Sequence, residues 1–112
     1  MNVLFVCSRN KLRSPTAEAV FAAWPGIETD SAGLSSDAEV ELSLDQVEWA
    51  DIIFVMERRH KSKLAQRFGR HIGNKRVVCL DIPDKYGFMD AELIGRLEKT
   101  VGPLLRRDRP KP

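Results

Sequence analysis

Two short runs constrain this chain more than anything else in it. VLFVC (residues 3–7) and IIFVM (residues 52–56) are apolar at consecutive positions, not alternate ones. A strand reads that way when helices cover both faces of its sheet, as in parallel sheets. RVVCL (residues 76–80) repeats the pattern, and IETDSAG (residues 27–33) reads as a short strand closed by a glycine turn. Helical segments lie between them. Ser14 and Pro15 open the first: serine can cap, and proline fits the first helical position, where its missing N–H costs nothing. Ala17, Val20, Phe21 and Trp24 follow at helical spacing until Pro25 and Gly26 stop it. A short helix is expected over residues 44–50, and a basic one from residue 57 with Gly69 as its stop. Asp90 should cap a last helix carrying Leu93, Ile94, Leu97 and Val101, which Pro103 ends or kinks. Strands alternating with helices predict a small α/β domain with a four-stranded parallel sheet. A chain of 112 residues holds one such domain and not two. The basic tail from about residue 106 is expected to be disordered.

Right-handed crossovers bring the loops after the strand ends together on one edge. Ligands of open α/β sheets bind there, where the winding reverses. If the first strand is central, the loop after it faces that crevice. That loop, CSRNKLRSP, sets Arg9, Lys11 and Arg13 beside Cys7. Such a cluster costs free energy unless something negative sits in it. Successive backbone N–H groups of Ser8, Arg9, Asn10, Lys11, Leu12 and Arg13 can curl around the oxygens of a phosphate-like dianion, with a helix start behind them. Arg13 offers a planar fork for two oxygens. The same field favours thiolate at Cys7, and a thiolate below a bound phosphate is an in-line nucleophile. The Cys7–Arg13 spacing alone is a weak signal. Its place between a buried strand and a Ser-Pro helix start is the stronger one.

At this point VLFVCSRNKLRSPTAEAVF resembles the signature of the low-molecular-weight protein tyrosine phosphatase family: an apolar strand, C-x-G-N-x-C-R-S-P, then a helix. TDSAG is similar to that family's second strand and turn, and WADIIFVMERRH to its third strand and the Met-Asp after it. The likeness runs with gaps over most of the chain, tight over residues 3–21 and loose between Gly33 and Glu48. It implies a flavodoxin-like fold and hydrolysis of phosphotyrosine through a phosphocysteine, with no cofactor and no metal. It further implies Cys7 as nucleophile, Arg13 as phosphate clamp, Asn10 as the residue that shapes the loop, and Ser14 as a hydroxyl that stabilises the thiolate. Asparagine tolerates the left-handed backbone of a tight loop. Two positions depart from the family. Arg9 stands where it usually has glycine, and Leu12 where it often has a second cysteine that protects the first, so Cys7 is expected to over-oxidise more readily. Cys79, inside a strand, is expected to be structural.

A departing aryl oxygen needs a proton, and the phosphocysteine it leaves needs a base to activate water; one carboxylic acid serves both in turn. The resembled family carries it in an Asp-Pro-Tyr setting on the loop after the fourth strand. Here that loop reads LDIPDKYGF. Matching the strand ends favours Asp81, matching Asp-x-Tyr-Gly favours Asp84, and Asp81 is preferred. Tyr86 and Phe88 are candidate walls for an aromatic phosphoester, whereas Trp49 is assigned to the core. His60 is assigned to the surface of the basic helix.

Composition narrows the rest. The apolar runs are too short to span a bilayer, so no membrane partner is expected. Without a signal-peptide pattern the cytoplasm is the expected location. Cys7 and Cys79 cannot make a disulfide scaffold, and no C-x-x-C or histidine cluster suggests a metal. The net charge of +2 conceals segregation: residues 14–57 hold ten acids and no Lys or Arg, and residues 58–76 hold eight bases and no acid. A solvated face is the plainest account, although a basic helix also suits an acidic partner. Nucleic acid is a partner that the sequence allows without supporting, and nothing in it fixes an oligomeric state. Four rival functions fit less well. They are a non-catalytic module for phosphate or phosphoproteins, an arsenate reductase (which needs more cysteines), a phosphate carrier (which generally lacks the loop arginine), and a phosphatase for nucleic-acid termini.

Overall fold

The computed structural model describes residues 1–108. In chain order its elements are β1 (Asn2–Cys7), α1 (Arg13–Ala22), β2 (Glu28–Gly33), α2 (Leu44–Trp49), β3 (Ile52–Val55), α3 (Arg58–Ile72), β4 (Arg76–Cys79), α4 (Ala91–Thr100) and α5 (Gly102–Asp108). The strands form one sheet in the order β2-β1-β3-β4, every pair parallel. Consecutive apolar residues in β1 and β3 are explained at once. Phe5 and Cys7 point into a core shared with Phe21 of α1, Leu97 of α4 and Leu105 of α5. Leu4 and Val6 point the other way, into a core shared with Val47 of α2 and Leu64 of α3. Phe5 stacks between Phe21 and Phe54, with ring centroids 5.8 and 5.5 Å away. Trp49 is half-buried against the second core, as expected.

Three local expectations change. Helix α1 starts at Arg13, so Ser14 and Pro15 occupy its second and third positions and Ser14 is not its cap; its hydroxyl is used elsewhere. Helix α3 runs through Gly69, because an interior glycine costs only about 1 kcal/mol and Ile72, one turn further on, packs on the second core. It bends at Phe68 (φ −130°, ψ 16°) and stops at Gly73, whose φ of 56° suits glycine. Pro103 falls in the first turn of a separate helix, α5, where proline is tolerated. That helix includes residues 106–108 of the segment expected to be disordered; residues 109–112 lie outside the described residues. Asp90 does cap α4, accepting from the N–H groups of Glu92 and Leu93. Among the described residues no helix is long and apolar enough to cross a membrane.

Candidate active site

Strand β1 is central, and the winding reverses beside it: the chain passes to β2 on one side and returns to β3 on the other. Cys7, its last residue, is buried and pairs in register with Gly33 of β2. The loop that follows is built by contacts reaching both forward and across. Asn10 takes φ 58°, which brings its N–H to 3.2 Å from Cys7 Sγ. Its side-chain Nδ2 donates to Ser14 Oγ at 3.0 Å and to Ser31 Oγ at 2.9 Å. The polarity of this network is fixed from its far end. Glu18, as a carboxylate, can only accept, so Ser31 donates to it at 2.5 Å and must itself accept from Asn10. Ser14 likewise accepts from Asn10, and its own hydrogen can go to Cys7 Sγ, 2.9 Å away. A thiolate at Cys7 only accepts, so two donors, this hydroxyl and the Asn10 N–H, converge on it.

Gly33 lets β2 press against this loop. A Cβ there would lie 2.5 Å from the Ser8 carbonyl oxygen and 2.6 Å from Ala38 Cβ. The next segment braces the loop's backbone: the N–H groups of Leu34, Ser35 and Glu39 donate to the carbonyls of Cys7, Ser8 and Arg9 at 3.0, 2.8 and 3.0 Å. Behind Ser8 stands His60, first turn of α3. It is fully buried, which corrects its expected place on the helix surface. Glu57 N–H donates to its Nδ1 at 3.0 Å. The neutral ring therefore carries its proton on Nε2, 2.9 Å from Ser8 Oγ. Burial, helped by the nearby Arg13 charge, pushes the His60 pKa down to about 4.

Arg13 is 2% exposed and held in place by Glu57 Oε2 at 2.5 Å and the Ile82 carbonyl at 2.8 Å. Hydrogen bonds from Arg59 and then Arg13 hold the Glu57 carboxyl at a pKa of about 2, against the effect of burial. Glu57 thus stays anionic and anchors two guanidinium groups. Cys7, Ser8, Arg9, Lys11, Leu12, Arg13, Arg59 and Asp84 line one cavity of about 400 Å³.

The acid loop departs from expectation. Asp84 lines that cavity, 3.7 Å from Arg13 Nε. Asp81 does not; it faces Arg58 at 4.0 Å and Cys79 Sγ at 3.5 Å. The reason lies in the backbone. Leu80 and Ile82 N–H groups bond to the Val55 and Met56 carbonyls and both side chains are buried, while Asp81 between them takes a left-handed φ of 53°. The residue between them points outward, and the turn at Pro83 brings Asp84 round to the cavity. Tyr86, expected as a wall, is buried in the first core with its hydroxyl 3.2 Å from Arg96. Phe88 is 57% exposed and does not line the cavity. Gly33, read from the sequence only as a turn, and Glu57 and His60, which the sequence places at the end of the third strand on this edge without a catalytic role, are parts of the site. Their one sequence signal is position: each sits at or just after the C-terminal end of a strand flanking β1.

A family model described as low molecular weight phosphotyrosine protein phosphatase matches residues 2–46. A protein-arginine-phosphatase of Geobacillus stearothermophilus is 30% identical over 90 residues, which cover 59% of this chain and 61% of that protein. The chain thus spans about three-fifths of the length of the curated relative it matches. A solved YwlE arginine phosphatase mutant with a phosphorylated active-site serine is 26% identical, with a TM-score of 0.78 over 97% of this chain and 98% of that one. A low molecular weight protein tyrosine phosphatase from Bacillus subtilis is 25% identical, with a TM-score of 0.73 over 96% and 99% of the two chains.

Proposed function

We infer that the chain belongs to the low-molecular-weight protein tyrosine phosphatase family, and on that premise that it hydrolyses phosphorylated protein side chains, phosphotyrosine first among them, through a phosphocysteine. The observation that carries this reading is the shared cavity of Cys7, Arg13 and Asp84. In the first step Cys7 Sγ attacks phosphorus and the bond from phosphorus to the side-chain oxygen breaks. Asp84 gives its proton to that oxygen as it leaves. In the second step the Asp84 carboxylate takes a proton from water, the water oxygen attacks phosphorus, and the S–P bond breaks to release phosphate. Arg13 binds two equatorial oxygens, with the backbone N–H groups of the loop around the rest; both act where charge gathers in the transition state. The Ser8 hydroxyl, accepting from His60, keeps its own hydrogen for the phosphate. Ser14 and the Asn10 N–H stabilise the sulfur as it departs.

A second reading, phosphoarginine, is favoured by the relatives named as arginine phosphatases. Asp84 would have to pair with the substrate guanidinium, and Arg9, Lys11 and Arg59 on the same rim would repel it. The rim therefore favours phosphotyrosine, although no aromatic wall lines the cavity. Turnover of matched phosphotyrosine and phosphoarginine peptides decides between them, with Cys7→Ser as the control. We expect the tyrosine ester to be hydrolysed faster and Cys7→Ser to be inactive on both. Activity retained in Cys7→Ser would remove the proposed nucleophile.

A further inference from the structure

The cavity over Cys7 does not end at its rim. Arg59, part of its wall, also walls a second cavity of about 390 Å³ with Arg58 and Asp81. Arg58 and Asp81 in turn border a third, of about 750 Å³, whose floor is Val77, Val78 and Cys79. Three consecutive strand residues can line one cavity only where it lies along the edge of the strand, since alternate side chains point to opposite faces. Strand β4 is that edge: it pairs with β3, and among the described residues no strand pairs with its other side. Three cavities that share wall residues thus follow one another from the phosphate cup, round the start of α3 and past the exposed Arg58–Asp81 pair, to an open strand edge, as one trough.

We propose that this trough docks the substrate polypeptide as an extended acidic segment, adding to β4 while its phosphorylated residue enters the cup. This rests on reading the Cys7 cavity as a phosphate site. Edge strands bind extended peptides through main-chain hydrogen bonds, with side chains setting preference. The preference here is for acid. Arg59, Arg58, Lys61 and Arg76 border the trough, while on the other side of the cup the exposed Asp37 and Glu39 lie against Arg9, Asp37 through its carboxylate and Glu39 through its backbone N–H, and would turn an acidic chain away. The charge segregation of the sequence thus gives the substrate a direction. A polynucleotide fits worse. Glu57 and Asp81 interrupt the basic strip where a nucleic acid would place a phosphate at every step, and no aromatic side chain lines it for a base to stack on. A peptide's neutral backbone can donate to those carboxylates.

The test compares the full chain with a double variant, Arg58→Glu with Lys61→Glu, both outside the cup. Substrates are p-nitrophenyl phosphate, phosphotyrosyl peptides of equal length flanked by Glu or by Lys, and a 5′-phosphorylated oligonucleotide. The wild type should prefer the Glu-flanked peptide, and raised salt should erode that preference. In the double variant kcat/KM for that peptide should fall about tenfold, mostly through KM. Turnover of p-nitrophenyl phosphate should stay unchanged, which also shows that the variant folds. Equal use of Glu- and Lys-flanked peptides, or an oligonucleotide used better than either, overturns the docking proposal and leaves the phosphatase reading standing. If no phosphoester is turned over, the phosphatase reading fails. Anisotropy of a labelled, unphosphorylated Glu-rich peptide then still tests docking, which requires binding by the wild type and its loss in the double variant.

Discussion

The two sides of the cavity are built to different standards. The cup side, residues 7–14, is anchored by its buried polar residues: Asn10, Arg13 and Ser14 are at most 5% exposed, and their side chains are held by other protein groups before any anion arrives. The acid side hangs from two buried residues, Ile82 and Tyr86, and leaves Asp84 61% and Phe88 57% exposed. A segment with few buried contacts lies at the low-stability end of a fold. The difference matches the tasks proposed for each side. The anion is gripped through both chemical steps, whereas the acid must hand over a proton and take one back.

Exchanging single groups on either side would break this division if it is wrong. The largest effect is expected on the acid side. Asp84→Asn should lower kcat about 10²- to 10⁴-fold for esters with poor leaving groups and far less for p-nitrophenyl phosphate, whose leaving group needs no proton. Asp81→Asn should leave both rates alone. Steady-state rates against leaving-group pKa check this, and the reverse pattern would return the role to Asp81. On the cup side Gly33→Ala comes next. With a Cβ forced to 2.5 Å from the Ser8 carbonyl, the loop or β2 must shift, costing about 2 kcal/mol of stability. The inhibition constant for phosphate should rise about tenfold. Thermal unfolding and competitive inhibition by phosphate measure the two effects separately. Unchanged phosphate affinity would show that β2 does not brace the cup.

The same contrast explains what could be read from the sequence. The cup is contiguous, with Cys7 through Ser14 fixing nucleophile, anion cradle and helix start within one turn-sized segment, so local pattern sufficed. The strands were legible for a related reason: β1 and β3 are buried on both faces, and burial writes itself as unbroken apolar runs. Asp84 stands second in the sequence reading because its position depends on Leu80 and Ile82 locking onto the carbonyls of Val55, the end of β3, and Met56, just after it, a contact between distant parts of the chain. His60 looked like one base among many because nothing local distinguishes the buried side of α3's first turn. Tyr86 was misplaced for the converse reason. An aromatic in a polar loop invites a binding role, and only the packing of α4 shows that it closes the core.

A smaller effect is expected from pH, again on the cup side. In the folded chain His60 stays neutral down to a pKa of about 4, whereas in the unfolded chain it titrates near 6.5. Between those values the unfolded state binds a proton that the folded state does not. Stability should therefore be complete above pH 6.5, decline as pH falls toward 4, and lose nothing more to this group below that. Glu57, held near 2 against a usual 4.5, adds its own loss below pH 4.5. Urea unfolding at pH 7, 5.5 and 4.5 should show a decline that His60→Gln, which keeps a donor for Ser8, flattens between 6.5 and 4.5. An equal decline in that variant would place the sensitive group elsewhere.

The smallest effect separates packing from recognition on the acid side. If Tyr86 were a wall of the substrate slot, its hydroxyl would face the ester and its removal would change KM. The ring instead sits in the core under α4, and the hydroxyl meets Arg96. Tyr86→Phe deletes that one partly buried hydrogen bond and keeps the ring, so it should cost about 1 kcal/mol of stability while kcat and KM for an aryl phosphate stay as they are. A changed KM at unchanged stability would move Tyr86 into the slot, and with it the idea that the acid side is held by core contacts alone.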